Sequence, residues 1–273
     1  MPIIRPSLQP VAPSGAPQTA ARAPVKSLVS PQEWAARVEL AACYRLMDLY
    51  GMTDMIYNHI SARVPGEPGH FLINAYGLHY REITASSLHK IDGNGEIVLR
   101  GDSDYGINHA GFVIHSAVHA ARADLHCAIH THTRAGTAVA AMQCGLLPVS
   151  LHAMRYAARV GYHDFEGVVT ELDERERIAR DLGDFDVLVL RNHGLLACGR
   201  TIPEAFNTMY GLELACRIQV DAMHANTPLC LPAQAVQERT AAFFERNAKR
   251  QFGKMEWEAL TRMLDRTDPS YAN

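Results

Sequence analysis

Two histidines separated by a single residue close an apolar segment in the middle of the chain. His130 and His132 follow the apolar residues 127–129, with Thr131 between them. An apolar run of this kind predicts a buried strand end, and side chains two residues apart on a strand point to the same face. Both imidazoles can therefore reach one metal ion, and neutral imidazole is the commonest protein ligand for zinc and similar ions.

A second apolar run, residues 186–190, is followed by Arg191, Asn192, His193 and Gly194. Metal sites that perform chemistry usually take three protein ligands and leave one position open. We expect His193 to lie at the end of another buried strand and to be the third ligand. The sequence thus predicts a three-histidine site for a divalent metal, with Zn²⁺ as the expected ion. The alternative is chance, because histidines packed in the core or on the surface can show this spacing in a chain with 14 of them.

The histidine pair, the Asn-His-Gly sequence at 192–194 and the order of the surrounding segments resemble the class II aldolase/adducin family. The resemblance covers residues 31–227. It implies an α/β fold of three layers (αβα) with a central, mostly antiparallel sheet, and one divalent metal on the three histidines. The family builds its sites between the subunits of a fourfold ring. The resemblance therefore also implies a homotetramer, with Tyr271 of the C-terminal tail as a candidate for the aromatic residue that reaches a neighbour's site.

Local patterns agree with a sheet covered by helices. Capping boxes with a following proline begin two of the helices, at residues 30 and 201. The expected helices are 31–50, 108–121, 133–144, 153–159, 171–182, 201–225 and most of 233–264. The expected strands are 55–64, 70–76, 89–92, 96–100, 127–132, 146–151 and 186–190.

Proline and apolar periodicity suggest the domain organisation. Six prolines interrupt residues 1–29, which have no periodic apolar face to bury. We predict a flexible N-terminal arm at 1–29, the main domain at 30–227, and a C-terminal helical extension with a tail at 228–273. The alternative for the arm is that its few aliphatic side chains anchor it on a neighbouring subunit.

Charge and cysteine usage narrow the class of protein. A net charge of −3 gives no basic field of the sort that holds nucleic acid. The six cysteines form no CxxC pair and no dense framework, which indicates reduced thiols in a cytoplasmic protein. No apolar stretch has the length of a membrane span. We therefore expect neither nucleic acid nor membrane as a partner, and the family resemblance implies a small-molecule substrate.

The chain departs from the sugar-phosphate aldolases of the family at the helix before the histidine pair. In those enzymes the helix begins with two serines, which help to hold phosphate, and a glutamate, which is the general acid/base. The corresponding positions here are His109, Ala110 and Gly111. A positioned acid/base commonly contributes about 10² to 10⁴ in rate. Its loss disfavours reactions that begin by removing a proton from carbon, whereas decarboxylation of a 3-oxo acid needs no such step, and several family branches are decarboxylases.

Five residues remain as candidates for the pocket. Asn58 and Ser61 resemble the family's polar loop and Gly77 its turn glycine, with buried structural roles as the alternative. His109 can replace the missing base, because an unperturbed imidazole titrates near 6.5. Glu166 is the other candidate acid/base, in a segment that resembles the YHDYEG stretch of adducin-like members, although a loop-fixing role is the alternative.

The resemblance therefore implies a metal-dependent carbon–carbon lyase, of aldolase or decarboxylase type. Such an enzyme would stabilise an enolate of a small, unphosphorylated oxo or hydroxy acid. The alternative is a non-catalytic, adducin-like scaffold or binding protein that keeps only the fold. The complete set of three histidines favours the enzyme, because a scaffold has little need for an open Lewis-acid site.

Overall fold

Eight short strands form one sheet in the computed structural model, which describes residues 23–167, 173–248 and 253–273. Along the chain the strands are β1 (His59–Arg63), β2 (Phe71–Ile73), β3 (His89–Ile91), β4 (Ile97–Leu99), β5 (Cys127–Thr131), β6 (Gly161–His163), β7 (Val187–Leu190) and β8 (Gly194–Gly199). Their order across the sheet is β4-β3-β2-β1-β5-β8-β7-β6. All neighbours are antiparallel except β6 and β7, which run parallel. The predicted central, mostly antiparallel sheet is confirmed.

Helices cover both faces of this sheet. They are α1 (Pro31–Leu49), α2 (His109–Ala121), α3 (Arg134–Ala141), α4 (Leu151–Met154), α5 (Glu174–Leu182), α6 (Ile202–His224), α7 (Gln234–Ala248) and α8 (Lys254–Thr267). Helices α1, α3, α6 and α8 pack on one face, against Ile60, Ile129 and Leu195. Helices α2 and α5 pack on the other face, against Ala128. His130 projects to the α2 side because side chains alternate along β5, and the three-layer α/β fold is confirmed.

Polar side chains set the starts of three helices. Ser30 and Thr201 each accept a hydrogen bond from the backbone N–H three residues later, at 3.1 and 3.2 Å. Asn108 accepts one from the N–H of Gly111 at 3.3 Å. Each bond satisfies a backbone donor that the first helical turn leaves without a partner. The predicted starts of α1, α2 and α6 agree with these caps.

The strand predicted at 146–151 is wrong. The backbone N–H of Leu146 donates to the hydroxyl of Tyr162 at 3.0 Å, and that of Leu147 donates to Oε1 of Gln219 at 2.7 Å. Side chains therefore satisfy these backbone donors, which in a strand would bond to a neighbouring strand. The segment is irregular and leads into the short helix α4.

The C-terminal tail is docked on the body of the same chain. Tyr271 is only 5% exposed, and its carbonyl accepts a hydrogen bond from the N–H of Ala85 at 2.9 Å. Its hydroxyl donates to Asp265 at 2.5 Å. Tyr271 is therefore held by its own chain in this structure, and its contribution to a neighbour's site stays a prediction. Helices α7 and α8 lie within the predicted C-terminal extension, 228–273.

Most of the predicted N-terminal arm, residues 1–22, lies outside the described residues. The part that is described contains a single 3₁₀ turn, Val25–Ser27. Among the helices that the structure describes, none combines the length and the apolar character needed to cross a membrane.

Candidate metal centre

Three histidine side chains converge where β5 and the β7–β8 turn meet. The Nε2 atoms of His130 and His132 are 2.8 Å apart, and His193 Nε2 lies 3.3 and 3.0 Å from them. Nitrogens bound tetrahedrally to one zinc ion at about 2.0 to 2.1 Å lie roughly 3.3 Å from one another. The donor set therefore fits a single divalent ion, and the structure brings together the three residues that the sequence predicts.

The turn between β7 and β8 carries His193 to the end of β5. Asn192 adopts a φ of +56°, a conformation that asparagine tolerates better than most residues. A Cβ atom at position 194 would lie 2.2 Å from the carbonyl oxygen of Thr131. Only glycine therefore lets β8 begin so close to β5, and the Asn-His-Gly sequence is what this turn requires.

Hydrogen bonds orient two of the three imidazoles. His130 Nδ1 lies 3.0 Å from the carbonyl oxygen of Leu195, so it must carry the proton and donate. His132 Nδ1 lies 3.1 Å from Oδ2 of Asp54, which likewise accepts. Each Nε2 is then left with its lone pair directed at the centre. Bonds of this kind from the second nitrogen are usual for histidines that bind metals.

The protonation state also suits metal binding. Burial, followed by the neighbouring His193, holds the pKa of His130 well below its ordinary value. Burial lowers the pKa of His193 to about 4. Both imidazoles are therefore neutral at neutral pH, which is the form that binds a metal. The side chain of His132 is 24% exposed, so the centre is open to solvent on that side.

A buried series of hydrogen-bonded side chains lies beside the three-histidine centre. His59 pairs with His130 across β1 and β5, and their ring centroids are 5.1 Å apart. His59 Nδ1 lies 2.7 Å from His115 Nε2. Ser61 Oγ lies 2.6 Å from His115 Nδ1 and 2.8 Å from His119 Nε2. We call these four residues, His59, His115, Ser61 and His119, the histidine chain.

Burial keeps the histidine chain uncharged at neutral pH. It lowers the pKa of both His115 and His119 to about 3. It also lowers the pKa of His59 well below the ordinary value, with a further contribution from His115. A cation in this interior would lose its hydration without gaining a carboxylate partner.

The ring of His59 fills the space above Gly111. A Cβ atom at position 111 would lie 2.2 Å from both Cδ2 and Nε2 of His59, a separation that real atoms do not adopt. The position where the expected acid/base glutamate is missing therefore has no room for a side chain while His59 keeps its place.

Asn58 is a buried amide without protein partners. The residue is 1% exposed, and neither Oδ1 nor Nδ2 has a hydrogen-bond partner among the residues that the structure describes. An unpaired buried amide costs free energy, so such a group usually meets a water molecule or a ligand. This supports the predicted role of Asn58 in binding substrate.

The other two predicted pocket residues have different surroundings. Ser61 is 1% exposed, and its hydroxyl is engaged by two histidines of the histidine chain. The structure therefore gives Ser61 a hydrogen-bonding role inside the histidine chain, and its predicted contact with substrate stays a prediction. Gly77 has a φ of +137°, and a Cβ atom there would lie 2.7 Å from the ring of Tyr105, which packs directly on the glycine.

The two candidate acid/base residues lie at the periphery. His109 is exposed at the first position of α2 and is not part of the converging donor group. Glu166 borders a narrow crevice that it shares with His193 and Phe165. Its carboxylate is bound by Arg177 through contacts of 2.6 to 3.0 Å, and this hydrogen bonding lowers the pKa of Glu166.

Sequence reasoning missed two residues next to the centre. Asp54 lies in the loop after α1, and no sequence pattern links it to His132. His59 carried no signal of its own. Gly111 in the first turn of a helix did carry one, because a helical glycine costs about 1 kcal/mol relative to alanine and often marks a close approach.

The chain is similar to known proteins over most of its length. The family model described as the Class II Aldolase and Adducin N-terminal domain matches residues 38–220. A Caulobacter vibrioides protein, named only provisionally as an aldolase class 2 protein, is 46% identical over 250 residues, which cover 91% of this chain and 96% of its own length. Alpha-adducin of Rattus norvegicus is 46% identical over 241 residues, which cover 84% of this chain but 33% of the adducin. The structure of an aldolase II superfamily protein from Pseudomonas syringae has a TM-score of 0.85 at 48% identity, covering 92% of this chain and 100% of that one.

Proposed function

This chain belongs to the class II aldolase and adducin family, and on that premise we propose that it is a metal-dependent carbon–carbon lyase acting on a small, unphosphorylated oxo or hydroxy acid. The observation that carries the proposal is the three-histidine centre, whose Nε2 atoms lie within 3.3 Å of one another. A divalent ion bound there, for which we propose Zn²⁺, supplies a Lewis acid that polarises a substrate carbonyl group.

Side chains of the protein hold the ion, orient its ligands and bind the substrate in this proposal. His130, His132 and His193 hold the ion, and the Asp54 carboxylate fixes the tautomer of His132. Asn58 offers one acceptor and two donor hydrogens to a substrate, because its buried amide has no partner among the described residues. The exposed side of His132 leaves the centre open to an incoming molecule.

The surroundings of Gly111 favour decarboxylation over proton abstraction. His59 occupies the space that an acid/base carboxylate at this position would need. Glu166 is held in an ion pair with Arg177, which favours its charged form and restrains the carboxylate. Loss of CO₂ from a 3-oxo acid requires no prior removal of a proton from carbon, so it makes no demand on either group.

An unphosphorylated substrate is supported by the start of α2, where His109 and Ala110 stand in place of the two serines that help to hold phosphate in the family's sugar-phosphate aldolases. A cytoplasmic homotetramer with sites between subunits remains our proposal for the assembly. Light scattering coupled to size exclusion measures it directly.

The function is tested by screening small 3-oxo acids and hydroxy-ketones for release of CO₂ or aldehyde by the zinc-loaded protein. We expect turnover of at least one acid, loss of that turnover with a chelator, and no cleavage of sugar phosphates. The His132→Ala variant is the matched negative sample. Efficient cleavage of a sugar phosphate would overturn the proposed substrate class.

The alternative function, a binding scaffold, is supported by the relatives that bear the name adducin. A complete absence of turnover across the panel, with one zinc ion bound per chain, would favour the scaffold.

A further inference from the structure

We propose that a cavity at the end of the sheet opposite the three-histidine centre binds a small organic cation, with Glu39 as its counter-ion and Trp257 as its aromatic wall. The cavity has a volume of about 900 Å³, which is the size of a small-molecule site. Helices α1, α6, α7 and α8 contribute to its wall, and the proposed lyase reaction makes no use of it.

The cavity is separate from the three-histidine centre. Val187 and Thr201, which line it, stand at the start of β7 and just after the end of β8. His193 lies in the turn that joins the other ends of these two strands. β8 has six residues and spans roughly 17 Å at about 3.3 Å per residue. A ligand in the cavity is therefore out of reach of the metal ligands.

Aromatic side chains form part of the cavity wall. Trp257 of α8 is 7% exposed, and Tyr156, close after α4, is 4% exposed. Phe206 packs against the indole of Trp257 with ring centroids 5.8 Å apart. The guanidinium of Arg155 already lies 5.3 Å from the ring centroid of Tyr156, whereas no cation of the described residues stands over Trp257. Indole is the aromatic ring that attracts a cation most strongly.

Most charged groups around the cavity are engaged by the protein itself. Three arginines of the wall donate to neighbouring side chains: Arg159 to Glu245 at 2.9 Å, Arg200 to Glu204 at 2.9 Å and Arg155 to the amide oxygen of Asn207 at 2.8 Å. Asp186 lies 3.5 Å from the guanidinium of Arg122. Lys254 and Glu258 of α8 are exposed, so water and salt screen their charges.

The carboxylate of Glu39 is the exception. This residue of α1 is half-buried and lines the cavity, and no hydrogen bond or ion pair from the described part of the chain reaches its side chain. Burial raises the pKa of Glu39, and no neighbouring cation opposes this effect. The carboxylate has lost part of its hydration without gaining a partner, so a cation that enters the cavity stabilises it.

These surroundings favour a ligand with a compact ammonium group on an apolar or aromatic body. The ammonium group neutralises Glu39, and the body packs against Trp257 and Tyr156. A neutral molecule of the same shape would leave Glu39 without a partner, and an anionic one would be repelled by it. The site therefore discriminates by charge among ligands of equal size.

Fluorescence of Trp257 tests the proposal on the full chain. The chain has two tryptophans, and Trp34→Phe leaves Trp257 as the only one. Benzylamine, benzyl alcohol and benzoate carry the same ring with a positive, a neutral and a negative group. We expect benzylamine to change the emission of this parent protein to saturation, with a dissociation constant of about 1 mM or below. Its affinity should exceed that of the other two probes by about 10-fold.

Two further variants identify the counter-ion. Glu39→Gln keeps the side-chain volume and removes the charge, so benzylamine should bind about 10-fold more weakly while the affinity for benzyl alcohol stays the same. Its Tm should not fall, because Glu39 has no partner to lose. Glu256→Gln is the matched control: it is exposed on α8, next to Trp257, and should bind benzylamine as the parent does.

Three results would overturn the proposal. They are unchanged benzylamine affinity in Glu39→Gln, equal affinity of the parent for benzylamine and benzyl alcohol, and no benzylamine binding up to about 10 mM. Calorimetry on the same samples detects binding that leaves the indole emission unchanged. None of these measurements depends on the metal ion or on turnover, so their outcome is independent of the proposed function.

Discussion

Oδ2 of Asp54 accepts a hydrogen bond from Nδ1 of His132 across 3.1 Å, 78 residues away along the chain. This bond fixes the imidazole with its Nε2 lone pair toward the other two histidines. Outer partners of this kind commonly change metal affinity by about 10- to 100-fold. We expect Asp54→Asn to weaken zinc binding by that factor while the fold is kept, since Asp54 is 39% exposed.

Competition against a chromogenic chelator measures this affinity. Asp221→Asn, on an exposed part of α6, is the matched control and should bind zinc as wild type does. An Asp54→Asn protein with wild-type zinc affinity would show that the carboxylate does not orient His132.

Metal content is the second prediction. Purified wild-type protein should carry about one divalent ion per chain, and zinc is the ion that a neutral three-histidine set favours. His132→Ala should lose it, because two imidazoles from β5 and the β7–β8 turn leave the ion with too few ligands. Elemental analysis of the two proteins decides the matter, and equal, negligible metal in both contradicts the centre.

The sequence predicted that His130, His132 and His193 lie together, because each follows an apolar run that is typical of a buried strand. The apolar run before His130 and the Asn-His-Gly turn at His193 are patterns among neighbouring residues. Such patterns can be recognised from the sequence alone. Asp54 and His59 are defined by what they touch in space, and nothing nearby in sequence reveals those contacts. Gly111 showed that a side chain was missing, but not that His59 fills its place.

Some secondary-structure elements could likewise be located from local sequence patterns, and others could not. Caps and apolar periodicity located α1, α2 and α6, whose starts depend on residues three positions apart. The edge strand β6 was missed because it has only three residues, Gly161–His163, within a polar stretch, and pairs on one side only. The false strand at 146–151 was apolar, but its backbone donors are satisfied by side chains from β6 and α6. Such partners are set by tertiary packing and leave no local pattern.

The third prediction concerns pH. Burial lowers the pKa of His115 and of His119 to about 3, whereas in the unfolded chain each titrates near 6.5. Above about pH 6.5 both states are neutral and these groups contribute nothing to the pH dependence. Between about pH 6.5 and 3 the unfolded chain binds the protons first, so stability falls as the pH falls.

As the pH falls through this range, each of these histidines lowers the unfolding free energy by at most about 1.4 kcal/mol per pH unit. In His119→Gln, whose amide can still form a hydrogen bond with Ser61, the slope of unfolding free energy between pH 6.5 and 4 should shrink by about that amount. Urea unfolding of chelator-treated protein at several pH values measures it, and the two slopes should coincide above pH 7. Equal slopes in the acid range would mean that His119 is charged in the folded protein.

The last prediction separates a binding role for Asn58 from a structural one. Its amide is 1% exposed and unpaired among the described residues, so the free protein carries a cost of about 1 to 3 kcal/mol for each unsatisfied group. Asn58→Leu removes that cost at similar volume, and we expect the unfolding free energy to stay the same or to rise by up to about 2 kcal/mol. Turnover of the oxo acid found by screening should fall at least 10-fold.

Asn74 is the matched control: it is also buried, at 3% exposed, but its side-chain amide lies 2.9 Å from the Tyr44 hydroxyl, so Asn74→Leu should destabilise by about 1 to 3 kcal/mol. Chemical unfolding of both variants compares the two amides directly. If Asn58→Leu destabilises the fold as much as Asn74→Leu does, the amide of Asn58 stabilises the folded protein and is not a substrate-binding group.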